Sequence, residues 1–505
     1  MSPNTDAGTP SRVAAPSGSA SSRSAVTLRF RLALLWILFS AANYGYGISE
    51  LNALQPILTC HPRDPSSTVL LSTGCIPLSE SQFGLVTSLF TLGGLVSSFL
   101  ISPISKHLGW GRQTCITCSA IAGVVGSSIL GVSSTLPGLG LGRFVQGIGS
   151  GIGVVMVPIF LNEVSPVALK GSVGVLNQLS IVVGIFVAQA IGASWLGSDE
   201  RYWRTVPLVS GALSALQLLG SFTVGLESPG WLEGEGRRKA GSAAEDRADE
   251  VRALLWSPKE LQGWRESRSA PRSTGRDEER QGLLAADSDA DEPTREAAQV
   301  GLSGLFRDPD VRPGAILVIL TQLGQQLSGI NAVLYYSVGI LGSILPALAG
   351  SIGILITLIN IAMTFPPMLL IDEHRVGRKN LMVGSALVMA VASALLGAGI
   401  VFGMRSLSAI CMVLMVAGFS FGLGPVPFVI LPELVPSRAV STTTSLGLTL
   451  NWTANFVVGS AFLPLKNWLA NFDAGHTGGA VFWIFSASNL ATALIVARMY
   501  SYRPE

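Results

Sequence analysis

The chain has 505 residues, 49% of them hydrophobic and only 13% charged, with a mean hydropathy of +0.51 and a formal net charge of +2. Soluble domains are about a quarter charged, so a single soluble core is excluded, and so small a net charge excludes a basic surface for nucleic acid. The segment Leu226 to Arg312 alone holds 14 of the 33 Lys and Arg and 19 of the 31 Asp and Glu, which leaves a polytopic membrane protein with one polar insertion.

Residues 1–29, rich in Ser, Ala, Pro and Gly, read as a disordered tail. They are no cleavable signal, because a full-length span follows them. Apolar runs of about 20 residues cross a hydrocarbon core about 30 Å thick as helices. Twelve such runs are expected, near Phe30–Ile48, Phe83–Ser102, Cys115–Val132, Leu141–Leu161, Val173–Ser194, Val206–Leu226, Ala315–Leu341, Leu348–Ile371, Leu381–Phe402, Leu407–Leu431, Ser441–Leu463 and Ala480–Arg498. An even number of spans puts both termini on one side. Arg23, Arg29, Arg31, Lys106, Arg112, Arg375, Arg378 and Lys379 fall on that side together with the insertion, so the positive-inside rule assigns it to the cytosol.

Cys60 and Cys75 share the first non-cytosolic loop, where an oxidising compartment would allow a bridge; bridged and free thiols both stand. Within the insertion, short helices are expected over Ala244–Leu255 and Val300–Phe306. Glu279 precedes Leu283 and Leu284 at the spacing that clathrin adaptors read for endosomal, lysosomal or vacuolar sorting, a pattern that chance also produces in acidic segments.

The insertion divides the spans into two sets of six in which local patterns recur. "LGWGRQ" (Leu108 to Gln113) is matched by "RVGRKN" (Arg375 to Asn380), and "NEVSPVALKG" after span four by "PELVPSRA" after span ten. Arg112 and Glu163 are 51 residues apart, Arg378 and Glu433 are 55 apart, and Lys170 and Arg438 follow in each half. Two parallel repeats facing a central cavity account for the recurrence. Ion pairs between Arg112, Glu163 and Lys170, and between Arg378, Glu433 and Arg438, would latch helix ends in one conformation and part in another.

The span interiors hold almost no charge, yet carry Gln178, Gln325, Gln326, Asn331, Asn360, Asn451 and Asn455. Unpaired amides are costly in hydrocarbon, and some serve as helix glue. Amides both donate and accept, which suits a neutral polyol or sugar; an anion would call for Arg or Lys, and a cation for Asp or Glu. Gly422, Gly424, Pro425, Pro427 and Pro432 break span ten beside a cavity. Phe428, just beyond, can stack on a ring. The four histidines lie in loops without nucleophile or metal partners, so neither enzyme chemistry, metal nor cofactor is expected.

At these residues the sequence resembles the sugar porter family of the major facilitator superfamily, which includes the facilitative glucose transporters and fungal hexose transporters. The likeness covers residues 30–232 and 302–505, through "GRFVQGIGSG", "NEVSPVALKG", "LNQLSIVVGI", "LESPGWL", "QQLSGINAVLYYS", "GPVPFVILPEL" and "NWTANFVVG". The resemblance implies an all-α integral membrane fold of twelve transmembrane helices in two six-helix bundles, residues 30–226 and 313–500, joined by a cytosolic linker over 227–312 with a short tail over 501–505. It implies that Gln178, Gln325, Gln326, Asn331 and Asn360 hold sugar hydroxyls, with Phe428, Asn451, Trp452 and Asn455 completing the site. It places Arg143 with Arg112, Glu163, Lys170, Arg378, Glu433 and Arg438 in the charge network of the latch.

The sequence also departs from the family. Proton-coupled members carry an Asp in span one where this chain has Gly47, so facilitative uniport of a hexose such as glucose by a monomer is expected. A proton symporter would need another carboxylate; Glu50 lies one turn on, at the outer end of the span, where a solvated side chain is expected. Gly230 stands where the family has Arg, and Ser420 where the glucose facilitators have Glu. A non-transporting sensor or trafficking protein is the remaining alternative, disfavoured by the retained amides. A vacuolar, endolysosomal or plasma membrane is the expected location.

Overall fold

The structure is a computed structural model and describes residues 26–59, 76, 78–166, 169–194, 202–239, 242–269, 302–336, 349–370, 377–430, 434–472 and 477–500. Cys60, Cys75, Glu279, Leu283, Leu284 and Glu433 lie outside these residues, as do the side chains of Lys170 and Arg438.

The first half contains α1 (Leu28–Ser49), the single turn α2 (Gln55–Leu58), α3 (Glu80–Leu108), α4 (Arg112–Val132), α5 (Leu136–Val164), α6 (Lys170–Ala193) and α7 (Thr205–Thr223). Local chemistry sets several ends. The Thr27 hydroxyl accepts from the Phe30 N–H to start α1. Ser79 and Gln82 form a reciprocal capping box at α3, which stops at Gly109 in the left-handed region, φ 67°. Backbones approach closely where small residues line a helix. At the α1–α6 crossing, a Cβ on Gly45 would overlap the Ile181 carbonyl, and one on Gly184 would overlap the Ala42 carbonyl.

Four short helices follow: α8 (Pro229–Lys239), α9 (Ser242–Leu255), α10 (Pro258–Ser269) and α11 (Leu302–Arg307). Those expected over 244–255 and 300–306 are α9 and α11; α8 and α10 come from stretches with no sustained apolar period. They are held by the linker's own contacts. Arg252 pairs with Glu233 at 2.7 Å and Asp249 at 3.1 Å, and its guanidinium lies 4.1 Å from the Trp264 ring centroid. Buried Trp256 donates its indole N–H to the Val164 carbonyl at 2.8 Å, tying the linker to the end of α5.

The chain ahead of α1 joins this contact. Val26 forms an antiparallel bridge with Trp256, and Thr27 donates its N–H to the Leu255 carbonyl (3.1 Å) and its hydroxyl to the Leu254 carbonyl (2.6 Å). Thr27→Val removes the cap and the hydroxyl bond together. It is expected to cost about 1 kcal/mol locally, read as roughly five-fold faster amide hydrogen exchange at the start of α1 and the end of α9.

The second half contains α12 (Arg312–Leu327), α13 (Ala349–Met363), α14 (Phe365–Leu370), α15 (Gly377–Val401), α16 (Arg405–Phe421), α17 (Val426–Val429), α18 (Ser437–Leu469) and α19 (Val481–Met499). Among the described residues, eleven helices are long and apolar enough to cross a membrane, and the shorter apolar stretch Gly353–Pro367 lies in the expected eighth span. Span seven breaks at Ser328 and Gly329, where φ is 85°, and resumes over 330–336. Asn489 of α19 donates to the Ser328 carbonyl at 3.1 Å, so the backbone oxygen at the break keeps a partner in a water-poor setting.

Candidate substrate site

The buried amides of the second half bond chiefly to one another and to broken backbone. Gln325 donates to the carbonyls of Leu423 (2.8 Å) and Gly424 (2.9 Å), which the break between α16 and α17 leaves without helical partners. Asn451 of α18 donates to Gln325 Oε1 and Gln322 Oε1, both at 2.8 Å, and accepts from Gln326 at 2.9 Å. Asn331 donates to Gln326 Oε1. Tyr335 donates to Asn455 at 3.0 Å, and Ser420 to Asn360 at 2.7 Å.

These side chains are all buried. Gln325, Gln326, Asn331 and Asn451 therefore come together as one network over α12, its continuation 330–336 and α18, while Asn455 and Asn360 each bond to a separate partner. Gln178 on α6 is half-buried and makes no hydrogen bond among the described residues, while Phe428 on α17 is exposed. Trp452 is buried with its ring 5.9 Å from that of Tyr44.

Sequence reasoning missed Gln322, which is fully buried with its Nε2 unpartnered by protein. Its position one turn before Gln325 and Gln326 was the available signal. It also missed Ser420 as the partner of Asn360.

Contacts between the halves run along α6 and α13 and along α3 and α18, the latter from the middle of the helices to the end away from the linker. Asn467 donates to Glu80 at 2.7 Å, the rings of Phe83 and Tyr336 lie 6.2 Å apart, and a Cβ on Gly94 would meet the Trp452 ring at 2.6 Å. The halves are thus closed together at that end.

At the linker end, Arg112 meets Glu163 with Nη2 to Oε1 at 3.0 Å and Nε to the same oxygen at 3.3 Å. Ser228 also donates to Glu163. A Cβ on Gly230 would already lie 2.8 Å from Glu163 Cγ, so a larger residue there would press on the paired carboxylate. Neighbouring Glu227 accepts from the N–H groups of Arg112 (2.7 Å), Gln113 (3.3 Å) and Ser228 (2.9 Å), capping α4. Burial pushes the Glu227 carboxyl above the ordinary carboxylate range, outweighing these three donors. Arg378, half-buried, stands in the first turn of α15.

Two expectations are corrected. Arg143 does not join the linker-end charges: it lies 20 residues before Glu163 on the same helix, about 30 Å away along the axis. It pairs instead with Glu50 at 2.9 Å, both side chains fully buried, so Glu50 is not solvated.

Two six-helix halves meeting along α3 and α18, with a buried amide network in one of them, define a membrane transporter of the major facilitator fold. The chain belongs to the sugar (and other) transporter family, whose profile matches residues 32–501. A Saccharomyces cerevisiae relative bearing the name Probable metabolite transport protein is 29% identical over 97% of this chain and 95% of its own length. Human solute carrier family 2, facilitated glucose transporter member 4, is 31% identical over 86% of this chain and 82% of its own. Among solved structures, a D-xylose-proton symporter shares the fold with a TM-score of 0.66 at 20% identity, over 93% of this chain and 98% of that one.

Proposed function

We propose that the protein carries a monosaccharide, a hexose such as glucose, across a membrane as a facilitative uniporter by alternating access. The observation that carries this reading is the uncharged network of Gln322, Gln325, Gln326, Asn331 and Asn451. Its donors and acceptors are pre-oriented by one another and can be exchanged for sugar hydroxyls without moving a charge. Gln178, Asn360, Phe428, Trp452 and Asn455 complete the proposed site. The human relative, whose name states facilitated glucose transport, supports the same reading. Counterflow in proteoliposomes against a panel of hexoses and pentoses tests it: saturable exchange of one or more hexoses is expected, and binding without flux would favour a sensor.

In this reading the linker end and both termini face the cytosol, and Arg112–Glu163, within the first half, ties the linker ends of α4 and α5 in the conformation closed at the other end. Glu163→Gln removes the charge from the pair. It is expected to lower sugar turnover by about five- to ten-fold, roughly 1 to 1.4 kcal/mol, with sugar affinity nearly unchanged. Separate measurements of binding and exchange check the split. A vacuolar or endolysosomal membrane agrees with similarity to the yeast relative named Vacuolar protein sorting-associated protein 73, 27% identical over 88% of this chain.

A further inference from the structure

The facing surfaces of α1 and α7, both in the first half, are polar. Trp36, Ser40 and Asn43 share one face of α1, and Ser210, Ser214, Gln217 and Ser221 share one face of α7, each set at steps of three or four residues. All but Asn43 are buried, and Asn43 is half-buried. Direct hydrogen bonds cross this seam. Trp36 donates its indole N–H to the Gln217 carbonyl (3.0 Å) and to Ser221 Oγ (3.2 Å), and Asn43 donates to Gln217 Oε1 (3.0 Å).

Beside these bonds the seam borders a cavity lined by Ser40, Asn43, Ser210, Ser214 and Gln217, with Gly123 of α4 behind them. A Cβ on Gly123 would overlap Ser214 Oγ, so the glycine keeps this space clear. Ser40 Oγ, Asn43 Oδ1 and Gln217 Nε2 are buried without a protein partner. The volume open to the centre of a water molecule is about 20 Å³, where one water needs roughly 10 to 15 Å³. That admits one or two waters and nothing as large as a sugar.

We propose that this cavity is a hydration site, in which one or two water molecules are bound between α1 and α7 as a fixed part of the first half. The valences match. Water donates to Asn43 Oδ1, accepts from Gln217 Nε2, and has a further O–H or lone pair for the Ser40 hydroxyl. Turning over both amides of the Asn43–Gln217 pair keeps their mutual bond and still leaves one donor and one acceptor for water. A bridging water recovers most of the strength of a direct bond, whereas a dry cavity would strand three polar atoms at their full desolvation cost.

The site lies where α1 meets the rest of the molecule. Tyr44, next to Asn43, has its ring 5.9 Å from that of Trp452 in the other half and 6.4 Å from that of Phe90, which also lines the cavity. Bound water thus completes the polar seam that holds α1 against α7 beside the contact between the halves.

The hydration site stands independently of the sugar reading, and its test needs no substrate. Brief X-ray exposure of the purified protein makes hydroxyl radicals from bound as well as bulk water. Phe90 is expected to be oxidised about five-fold faster than Phe462, which is as deeply buried in the second half and does not line the cavity. Ser214→Leu, which fills the cavity, is expected to bring Phe90 down to the Phe462 rate. Equal rates in the wild type, or a Phe90 rate that Ser214→Leu leaves unchanged, overturn the proposal. Ser40→Ala supplies a second arm that adds no atoms. With water bound, the Ser40 hydroxyl has a partner and its removal lowers Tm, whereas removing a stranded hydroxyl from a dry cavity raises it. An unchanged or raised Tm overturns the proposal even if Ser214→Leu fails to fold.

Discussion

Replacing Gln325 by Ala is expected to lower the apparent sugar affinity about a hundred-fold, beyond the range in which saturable uptake is seen. The side chain makes three hydrogen bonds, two to the carbonyls of Leu423 and Gly424 and one from Asn451. Exchanged for as many bonds to sugar hydroxyls, at about 1 kcal/mol each, these donor and acceptor sites are worth roughly 3 kcal/mol of binding, or about two powers of ten. The change reaches beyond one residue. Without Gln325, Asn451 loses one of its fixed acceptors, and the gap between α16 and α17 loses the donor that satisfies its backbone. Uptake in reconstituted vesicles, with helicity followed by circular dichroism, separates the site from the fold. Unchanged uptake would sink the assignment.

The second large effect lies in packing. Gly45→Val places three carbons where the α6 backbone runs, because even a Cβ at 45 overlaps the Ile181 carbonyl. Backbone cannot rotate out of the way as a side chain can, so α1 must separate from α6 at a cost of about 3 kcal/mol or more. Loss of monodisperse protein in detergent is the expected result. Gly384→Val is the control: no other group lies within 4 Å of a Cβ built there, and it is expected to purify normally.

The spans were legible because each is one long apolar window, and their breaks because Gly and Pro mark them: Ser328-Gly329 and Gly422 to Pro425 open where the sequence weakens the helix. The small helices α8 and α10 were not legible, since Arg252, Trp256 and Trp264 hold the linker through contacts that leave no period in the local sequence. The amides were legible as a set but not as a network. Sequence alone pictures Gln325 and Asn451 as free for ligand, whereas in the fold they are donor and acceptor to each other. Arg143 was grouped with the wrong charges because motif order does not record depth along a 29-residue helix. Its partner Glu50 lies 93 positions away, a separation no local pattern reports.

The closure along α3 and α18 at the end away from the linker has a kinetic consequence for a carrier that rests in that conformation. A carrier that rests shut at one end offers its site more often to the opposite compartment, and apparent affinity from each side scales with the fraction of molecules open to it. Passive carriage cannot displace the equilibrium of a neutral solute, so the ratio of Vmax to KM must be equal in the two directions. The side with the lower KM must then have the lower maximal rate. Net flux would therefore rectify at high sugar concentration and be symmetric at low concentration, and sugar on the far side would speed entry by returning carriers that otherwise reorient empty.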